Sequence, residues 1–350
     1  MKWGKGMKRR FSALAGFLIL SFLPSCSPEQ PVLREVSYLP PKPVYTVRRV
    51  TLGAPPDELG CGEGESLERG ALWGYGDRLY TLYGCREEMA QFSSGVQITA
   101  HDAAGRPDRV LYADRNARFH GEGGVTSQAV FWTEYAGPGK GAWCLKLCRL
   151  SGGGAETLFT QDEEEPLPYS VTEDRVYWLQ DDRMFIYDVH CGRTDSQPAK
   201  LEAARIAGAE GEAWVLRGEE GGLELWNPEK QTVTASYRLP PEMLWKRVYV
   251  GGRFIVINDF EQSYYLLDRK HGSLTRLFKP GDYAIRSPLV VGNSFLFAAG
   301  EGICCVDLEE NRLYPALADE SARWAELLPL LDGGGVYWAD GENVWILPTA

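Results

Sequence analysis

Histidine and positive charge are both scarce in this sequence. Its 350 residues contain four histidines, none at the spacing of a zinc site: His101, His120, His190 and His271. Lysine and arginine together number 37 against 48 acidic residues, so the net charge is −11. Because a phosphate backbone is bound by a basic surface, we expect no nucleic-acid partner.

Motifs that carry cofactor chemistry or nucleophilic catalysis are missing as well. The glycine-rich segment 136–141 contains a lysine but lacks the serine or threonine that follows it in a phosphate-binding loop. A serine-nucleophile motif does not occur. We therefore expect no metal ion and no cofactor, and we assign no catalytic residue.

Residues that favour strands and tight turns are abundant. The chain contains 39 glycines and 21 prolines, and 44% of its residues are hydrophobic. This composition is typical of a folded chain with a large core, and so many turn-forming residues favour many short strands over long helices. The sequence therefore predicts an all-β fold.

The first 25 residues have the layout of an export signal. They carry five cations and no acid, and the apolar run at 11–23 is too short for a stable membrane span. The run ends in Leu-Pro-Ser-Cys at 23–26, which resembles the lipobox of bacterial lipoproteins. The resemblance implies that residues 1–25 are a signal peptide and that Cys26 carries the lipid. Pro24 departs from the usual pattern, and an ordinary cleaved signal is the alternative.

Residues 26–43 include five prolines and predict an extended, lipid-anchored tether. Removal of the five cations of the signal changes the net charge from −11 to −16. Such a chain is not attracted as a whole to an anionic membrane, so the lipid itself must supply the attachment. The expected location is the bacterial cell membrane, facing outside the cytoplasm.

A repeat with a period near 40 residues runs through the rest of the chain. Seven aromatic-rich strands begin at Leu79, Val130, Val176, Ala213, Phe254, Phe295 and Val336, spaced 37 to 51 residues apart. Four short strands in about 40 residues form one blade of a β-propeller. We expect a seven-bladed β-propeller over residues 44–350. The seventh unit ends without an outer strand, so we predict that the strand-like segment 45–52 closes the last blade.

The blade endings carry a family resemblance. The segments Leu-Asp-Arg-Lys-His-Gly at 267–272 and Tyr-Asp-Val-His-Cys-Gly at 187–192 resemble those of bacterial envelope lipoproteins whose propellers are built from quinoprotein-like repeats. This resemblance implies the architecture but not one function, because such propellers serve as scaffolds, ligand binders and enzymes. Quinoprotein dehydrogenases place a vicinal disulfide over their quinone, but the Cys304-Cys305 pair lies in a predicted third strand, remote from the central site. We therefore do not predict a quinone enzyme.

Acidic residues recur in the turns between the second and third strands of each unit. These turns emerge on one face of a propeller, which predicts a binding face for a cationic ligand or a basic protein. The alternative is a set of solvated turns. The candidate residues are Asp181, Asp182, Glu219, Glu220, Asp259, Glu261, Glu301, Asp340 and Glu342.

Eight cysteines leave an odd seven after Cys26. Cys61 precedes the first unit and Cys85 lies in its turn between the second and third strands, so both belong to the acidic face. An exported protein can keep a disulfide, and we predict that these two residues form one. Cys144 and Cys148 are four residues apart on one strand and cannot bridge each other.

These observations predict an exported, lipid-anchored propeller that binds or scaffolds an unknown protein or small-molecule ligand at the bacterial cell surface without catalysis. The alternative is a hydrolase, lyase or oxidoreductase acting on an extracellular substrate at the central funnel. An enzyme requires a cluster of perturbed carboxylates, histidine or arginine at that funnel. A scaffold requires an exposed apolar or aromatic surface instead.

Overall fold

Short strands joined by tight turns make up the structure, which is a computed structural model. It describes residues 32–33, 37–38, 47–87, 94–135, 143–161, 169–180, 183–198, 205–209, 212–216, 222–227, 232–239, 245–279, 284–300, 302–319, 322, 325–330, 335–340 and 342–348. Every described strand lies in one compact unit, Pro31–Ala350, and the other unit, Met1–Gln30, lies outside the described residues. The all-β prediction is confirmed.

The strands follow one another as antiparallel four-stranded blades. Three strands precede them: β1 (Val32–Leu33), β2 (Ser37–Tyr38) and β3 (Arg48–Thr51). Blade one contains β4 (Glu65–Tyr75), β5 (Arg78–Glu87), β6 (Ser94–His101) and β7 (Pro107–Asp114). Blade two contains β8 (Phe119–Val125), β9 (Ala129–Tyr135), β10 (Trp143–Arg149) and β11 (Ala155–Gln161). Blade three contains β12 (Tyr169–Val171), β13 (Arg175–Gln180), β14 (Arg183–Asp188) and β15 (Arg193–Pro198).

Two hairpins separate these blades from the later three. The hairpins are β16 (Arg205–Ala209) with β17 (Glu212–Leu216), and β18 (Gly222–Asn227) with β19 (Thr232–Arg238). Blade four contains β20 (Trp245–Val250), β21 (Phe254–Asp259), β22 (Tyr264–Asp268) and β23 (Ser273–Phe278). Blade five contains β24 (Arg286–Val291), β25 (Ser294–Ala299), β26 (Gly302–Asp307) and β27 (Arg312–Ala318). Blade six contains β28 (Leu328–Pro329), β29 (Gly335–Asp340), β30 (Asn343–Pro348) and β3.

The prediction of seven blades is wrong, because the described strands form six blades. The repeat that contains the strand beginning at Ala213, residues 203–239, was expected to form one four-stranded blade, but its described strands form two separate two-stranded sheets. Within the described residues no backbone pairing joins β17 to β18. The sequence between them, Arg-Gly-Glu-Glu-Gly at 217–221, is rich in glycine and like charges, which are poor at extending strands toward each other.

The second strand of each blade is apolar along its length because it is covered by neighbouring blades on both faces. All six residues of β21 are buried, whereas the outer strand β15 is largely exposed. In β9, Val130 and Trp132 pack toward blade one, and Phe131 packs toward blade three. Alternate residues of one strand therefore contribute to two separate cores, which explains why these strands lack the polar alternation of a half-exposed sheet.

The N-terminal strand closes the last blade, as predicted. β3 pairs antiparallel with β30, and the side-chain amide oxygen of Asn343 accepts hydrogen bonds from Arg49 and Thr51. The Tyr337 hydroxyl donates to the Leu72 carbonyl at 2.8 Å, which joins blade six to blade one inside the core. Burial raises the pKa of Tyr337 far above its usual value, so this hydroxyl keeps its proton.

The predicted tether contains two short strands, and each pairs with the outer strand of a blade. β1 runs parallel to β23, the outer strand of blade four, and β2 runs parallel to β27, the outer strand of blade five. β3 then forms the outer strand of blade six. The N-terminal segment thus contributes one strand to each of three consecutive blades.

A buried histidine lies beside this closure. His101, at the end of β6, is fully buried; its Nε2 lies 2.8 Å from the Thr81 hydroxyl and its Nδ1 lies 3.2 Å from the Gly105 carbonyl oxygen. That carbonyl also accepts the Gly53 amide, just after β3. Burial lowers the pKa of His101 below 6.5, although the Gly105 carbonyl opposes this shift.

We expect acid to destabilise the fold through His101. Below pH 6.5 the unfolded chain takes up a proton that the folded chain refuses, so stability falls as the pH falls. The slope should reach at most about 1.4 kcal/mol per pH unit. Denaturant unfolding between pH 7.5 and 5 should show a shallower slope for His101→Gln than for the native chain. Equal slopes for the two proteins would refute the role of His101.

Candidate functional site

The acidic turn face is here the set of turns between the second and third strands of the blades. Three of the nine candidate acids have described side chains: Asp259, Glu261 and Glu342. Asp340 ends β29, where its backbone pairs with Asn343. Five candidates lie outside the described residues: Asp181, Asp182, Glu219, Glu220 and Glu301.

The described candidates differ in their surroundings. Asp259 is 6% exposed, and its carboxylate accepts the Ser263 amide at 2.7 Å. Glu261 and Glu342 are exposed, and each lies in the turn of a different blade. The Glu342 carbonyl accepts the Leu52 amide at 2.8 Å, beside the closing strand. Asp259 therefore shapes its turn, while Glu261 and Glu342 face solvent.

The turn of blade four presents an aromatic side chain that the sequence analysis missed. Phe260 is 64% exposed, the highest value among the large hydrophobic side chains that the structure identifies as exposed. It lies between the buried Asp259 and the exposed Glu261. The Gln262 amide donates to the Asp259 carbonyl, and Gln262 itself has a φ of 67°. The signal was present in the sequence, because turn positions usually carry polar residues or glycine and a phenylalanine there is unusual.

A disulfide joins Cys61 to Cys85, the pair named from the sequence, with 5.5 Å between the Cα atoms. The Asp57 carboxylate accepts the amides of Leu59, Gly60 and Cys61, which shapes the loop that carries Cys61. The Asp57 carboxylate and the two sulfurs lie within 4.8 Å of one another. With both sulfurs in the bond, neither is a thiolate, the form of cysteine that binds a metal.

The remaining cysteines of the described strands pack as core residues. Cys305 packs into the core shared with blade six, whereas Cys304 packs on the opposite face of β26 against the core shared with blade four. Burial raises the pKa of the Cys148 thiol to about 11 and also raises that of Cys144. Thiols with raised pKa values are poor nucleophiles at neutral pH.

The inner strands line a cavity of about 720 Å³ that is open to solvent. Blades one, two, three and six line it, mainly through β4, β8, β12 and β28. The charged side chains on its wall are Arg69 and Glu326. Gly74 and Gly123 let the inner strands approach closely, since a Cβ at Gly74 would meet Leu330 and one at Gly123 would meet the Trp73 ring.

A hydrogen bond connects inner strands across the third and first blades. The Tyr75 hydroxyl, at the end of β4, donates to the Glu173 carboxylate at 2.9 Å. Glu173 also accepts the Ser127 amide through its backbone carbonyl, so blades one, two and three are joined near this point. The position of His120 is on β8, and its side chain lies outside the described part of the structure.

Within the described ranges, no helix has the length and apolar character needed to span a membrane. Cys26 lies outside those ranges, so the lipid anchor stays a prediction from the sequence.

Comparison with known proteins gives a structural likeness and no sequence relative. No family model matches the chain, and no curated protein matches its sequence. BamB from Moraxella catarrhalis is among the similar solved structures, with a TM-score of 0.46 and 11% identity over 80% of this chain and 84% of that one. The propeller described above follows from the strand pairing of this chain itself.

Proposed function

We propose that this chain is an exported, lipid-anchored β-propeller that binds a protein partner at the bacterial cell surface through its acidic turn face. Phe260 carries the proposal. Contact between a large apolar side chain and water is unfavourable. A partner that covers such a side chain at the tip of a turn removes this contact, and the burial contributes to the binding free energy. Aromatic anchors surrounded by polar residues are the typical energetic centre of a protein interface.

The turn that holds Phe260 suits binding because it is ordered by its own hydrogen bonds. Asp259 is buried and bonds Ser263 through its backbone and its carboxylate, and the Asn258 side chain also donates to the Ser263 carbonyl. A turn ordered in this way loses little conformational entropy when a partner binds. The exposed Glu261 next to Phe260 favours a partner with a basic surface.

Replacement of Phe260 by serine should lower the affinity for the partner at least thirtyfold. This is the effect of losing an interface anchor that contributes about 2 kcal/mol. The protein, anchored in its native envelope, is used as bait, and the captured partner is then titrated against purified variants. Val233→Ser removes another exposed apolar side chain, 43% exposed on β19, and should leave affinity unchanged. Binding should also weaken as salt is raised. Equal affinities for both variants, or binding indifferent to salt, would count against this face.

The anchor is tested separately at Cys26. The native protein should carry a diacylglyceryl group on this residue, visible by mass spectrometry of its N-terminal peptide. Cys26→Ser should incorporate no radiolabelled fatty acid, whereas Cys191→Ser, at an exposed cysteine outside the lipobox, should be labelled normally. An unmodified Cys26 in the native chain would refute the lipid anchor and favour an ordinary cleaved signal.

The central cavity supports a second candidate, a small-molecule site or an enzyme. Its volume of about 720 Å³ is in the range of ligand pockets, and Arg69, Glu326 and Ser170 provide polar groups on its wall. A failed partner capture together with turnover on a panel of small molecules would favour this candidate over the first.

A further inference from the structure

Blade four is basic in an acidic protein. Residues 245–279 carry seven cations and three acids, whereas the chain as a whole has a net charge of −11. Over their corresponding ranges, the other five blades are neutral or acidic. The net charge predicts no attraction to an anionic surface, but the charge that matters in a contact is the local one.

The cations of blade four are concentrated on its outer part. The segment 269–279 comprises the turn after β22, strand β23 and Lys279, and it contains four cations, His271 and no acid. Lys270 and Lys279 are exposed, and Arg276 is half-buried. We call this segment the basic edge.

Among the described residues, two acids beside the turn of the basic edge are already paired with another cation. Asp268 lies 2.7 Å from the guanidinium of Arg253, which also pairs with Glu309 of blade five at 2.7 Å. Asp268 additionally accepts the Lys270 amide and bonds His271. The charge of Lys270 is therefore only weakly offset by these acids.

The N-terminal segment reaches the molecule at this same edge. β1 pairs with β23 through Val32 opposite Thr275 and Leu33 opposite Arg276. Five residues lie between Cys26 and Val32, and the six Cα–Cα steps of a fully extended chain over that stretch cover at most about 20 Å. A compact domain of this size is roughly 50 Å across, so a lipid on Cys26 limits which side can approach the bilayer.

We propose that the basic edge of blade four faces the membrane and contacts anionic phospholipid headgroups. This inference rests on the proposed lipid anchor for its orientation in the cell. The anchor supplies the attachment, and the cations select which side of the propeller turns toward the lipid. The acidic turn face is then left accessible to a partner.

Anionic lipid is the occupant that both observations favour. Each lysine or arginine near an anionic membrane strengthens attachment about fivefold, which is the effect of about 1 kcal/mol. A soluble acidic partner would be attracted by the same charges. The short connection from Cys26 to β1, however, keeps the bilayer close to the basic edge and favours lipid as its occupant.

The test maps lipid contacts on a chain whose anchor does not depend on native lipidation. A chain beginning at residue 27 contains the whole compact unit Pro31–Ala350, and an N-terminal histidine tag tethers it to vesicles with a nickel-chelating lipid. The vesicles also contain a phospholipid with a photoreactive headgroup, and either phosphatidylglycerol or phosphatidylcholine as the bulk lipid. Cross-linked peptides are identified by mass spectrometry.

With phosphatidylglycerol, cross-links should concentrate in 269–279. The triple variant Lys270→Ser, Arg276→Ser, Lys279→Ser should reduce them at least fivefold. The control Arg86→Ser, Arg106→Ser, Arg193→Ser removes three exposed cations from other blades and should retain them. Circular dichroism and thermal melting establish that both triple variants are folded.

Three results would overturn the proposal: cross-links concentrated on the acidic turn face, the same pattern on phosphatidylcholine, or equal loss in both triple variants. Because the histidine tag attaches the chain to the vesicles, these results do not depend on whether Cys26 is lipidated. An unlipidated Cys26 in the native chain together with the expected map would overturn the anchor and retain the basic edge as a lipid-binding surface. A lipidated Cys26 together with cross-links outside 269–279 would retain the anchor and overturn the basic edge as a lipid-binding surface.

Discussion

Gly105→Ala is expected to lower the free energy of unfolding by about 2 to 4 kcal/mol, since it combines backbone strain with overpacking. Gly105 has a φ of +82°, a conformation that alanine adopts only at a cost. A Cβ at this position would also collide with the Thr51 carbonyl oxygen and lie 2.7 Å from Val50. Both residues belong to β3, so the substitution pushes the closing strand away from blade one, to which Gly105 belongs.

The matched control is Gly76→Ala in the same blade. Gly76 has a φ of +60°, but a Cβ there would meet no atom within 4 Å. It therefore carries the backbone cost alone, about 1 kcal/mol. Thermal and denaturant unfolding compare the two variants. Equal losses would mean that the close approach of Gly105 to β3 does not contribute to stability.

Loss of the Cys61–Cys85 disulfide should produce a second effect of similar size. The bond closes a loop with a sequence separation of 24 residues. Restricting such a loop in the unfolded chain contributes on the order of 3 kcal/mol. The loop follows β3 directly, and Asp57 shapes it through three backbone amides. The double variant Cys61→Ser, Cys85→Ser should therefore melt at a lower temperature than the native chain.

Reductant and a third variant make this result specific. Cys191→Ser changes an exposed cysteine that is not in a disulfide and should melt like the native protein. A reducing agent should lower the melting temperature of the native chain and of Cys191→Ser, and leave the double variant unchanged. A native chain that melts identically with and without reductant would show that the bond contributes nothing measurable.

The sequence predicts local pattern better than pairing between strands. The aromatic second strands were located from apolar runs because burial on both faces demands them, as β21 shows. The closing role of 45–52 followed from an incomplete last unit, and the structure pairs Arg48–Thr51 with β30. The blade count failed at 205–238 because four strand-like segments do not establish that the middle two are hydrogen-bonded.

The candidate site was predictable in position but not in chemistry. Asp259 and Glu261 are alike in sequence, yet one bonds the backbone of its own turn and the other faces solvent. Only the path of the chain between them distinguishes the two. The acidic pattern of these turns does not indicate Phe260, although an apolar residue among acids is the rarer feature. The pairing of β1 with β23 leaves no sequence pattern, because two residues are too few to form one.

Closure of the last blade affects the order in which the chain is synthesised and folds. Arg49 and Asn343, which bond across β3 and β30, are 294 residues apart. β3 is synthesised before blades one to five, and its partner strand β30 is synthesised after them. Ring closure must therefore wait until those blades have emerged, and contacts this distant in sequence form slowly. If the chain is exported unfolded, as proposed above, this delay is useful, because the propeller then closes only after β30 has crossed the membrane.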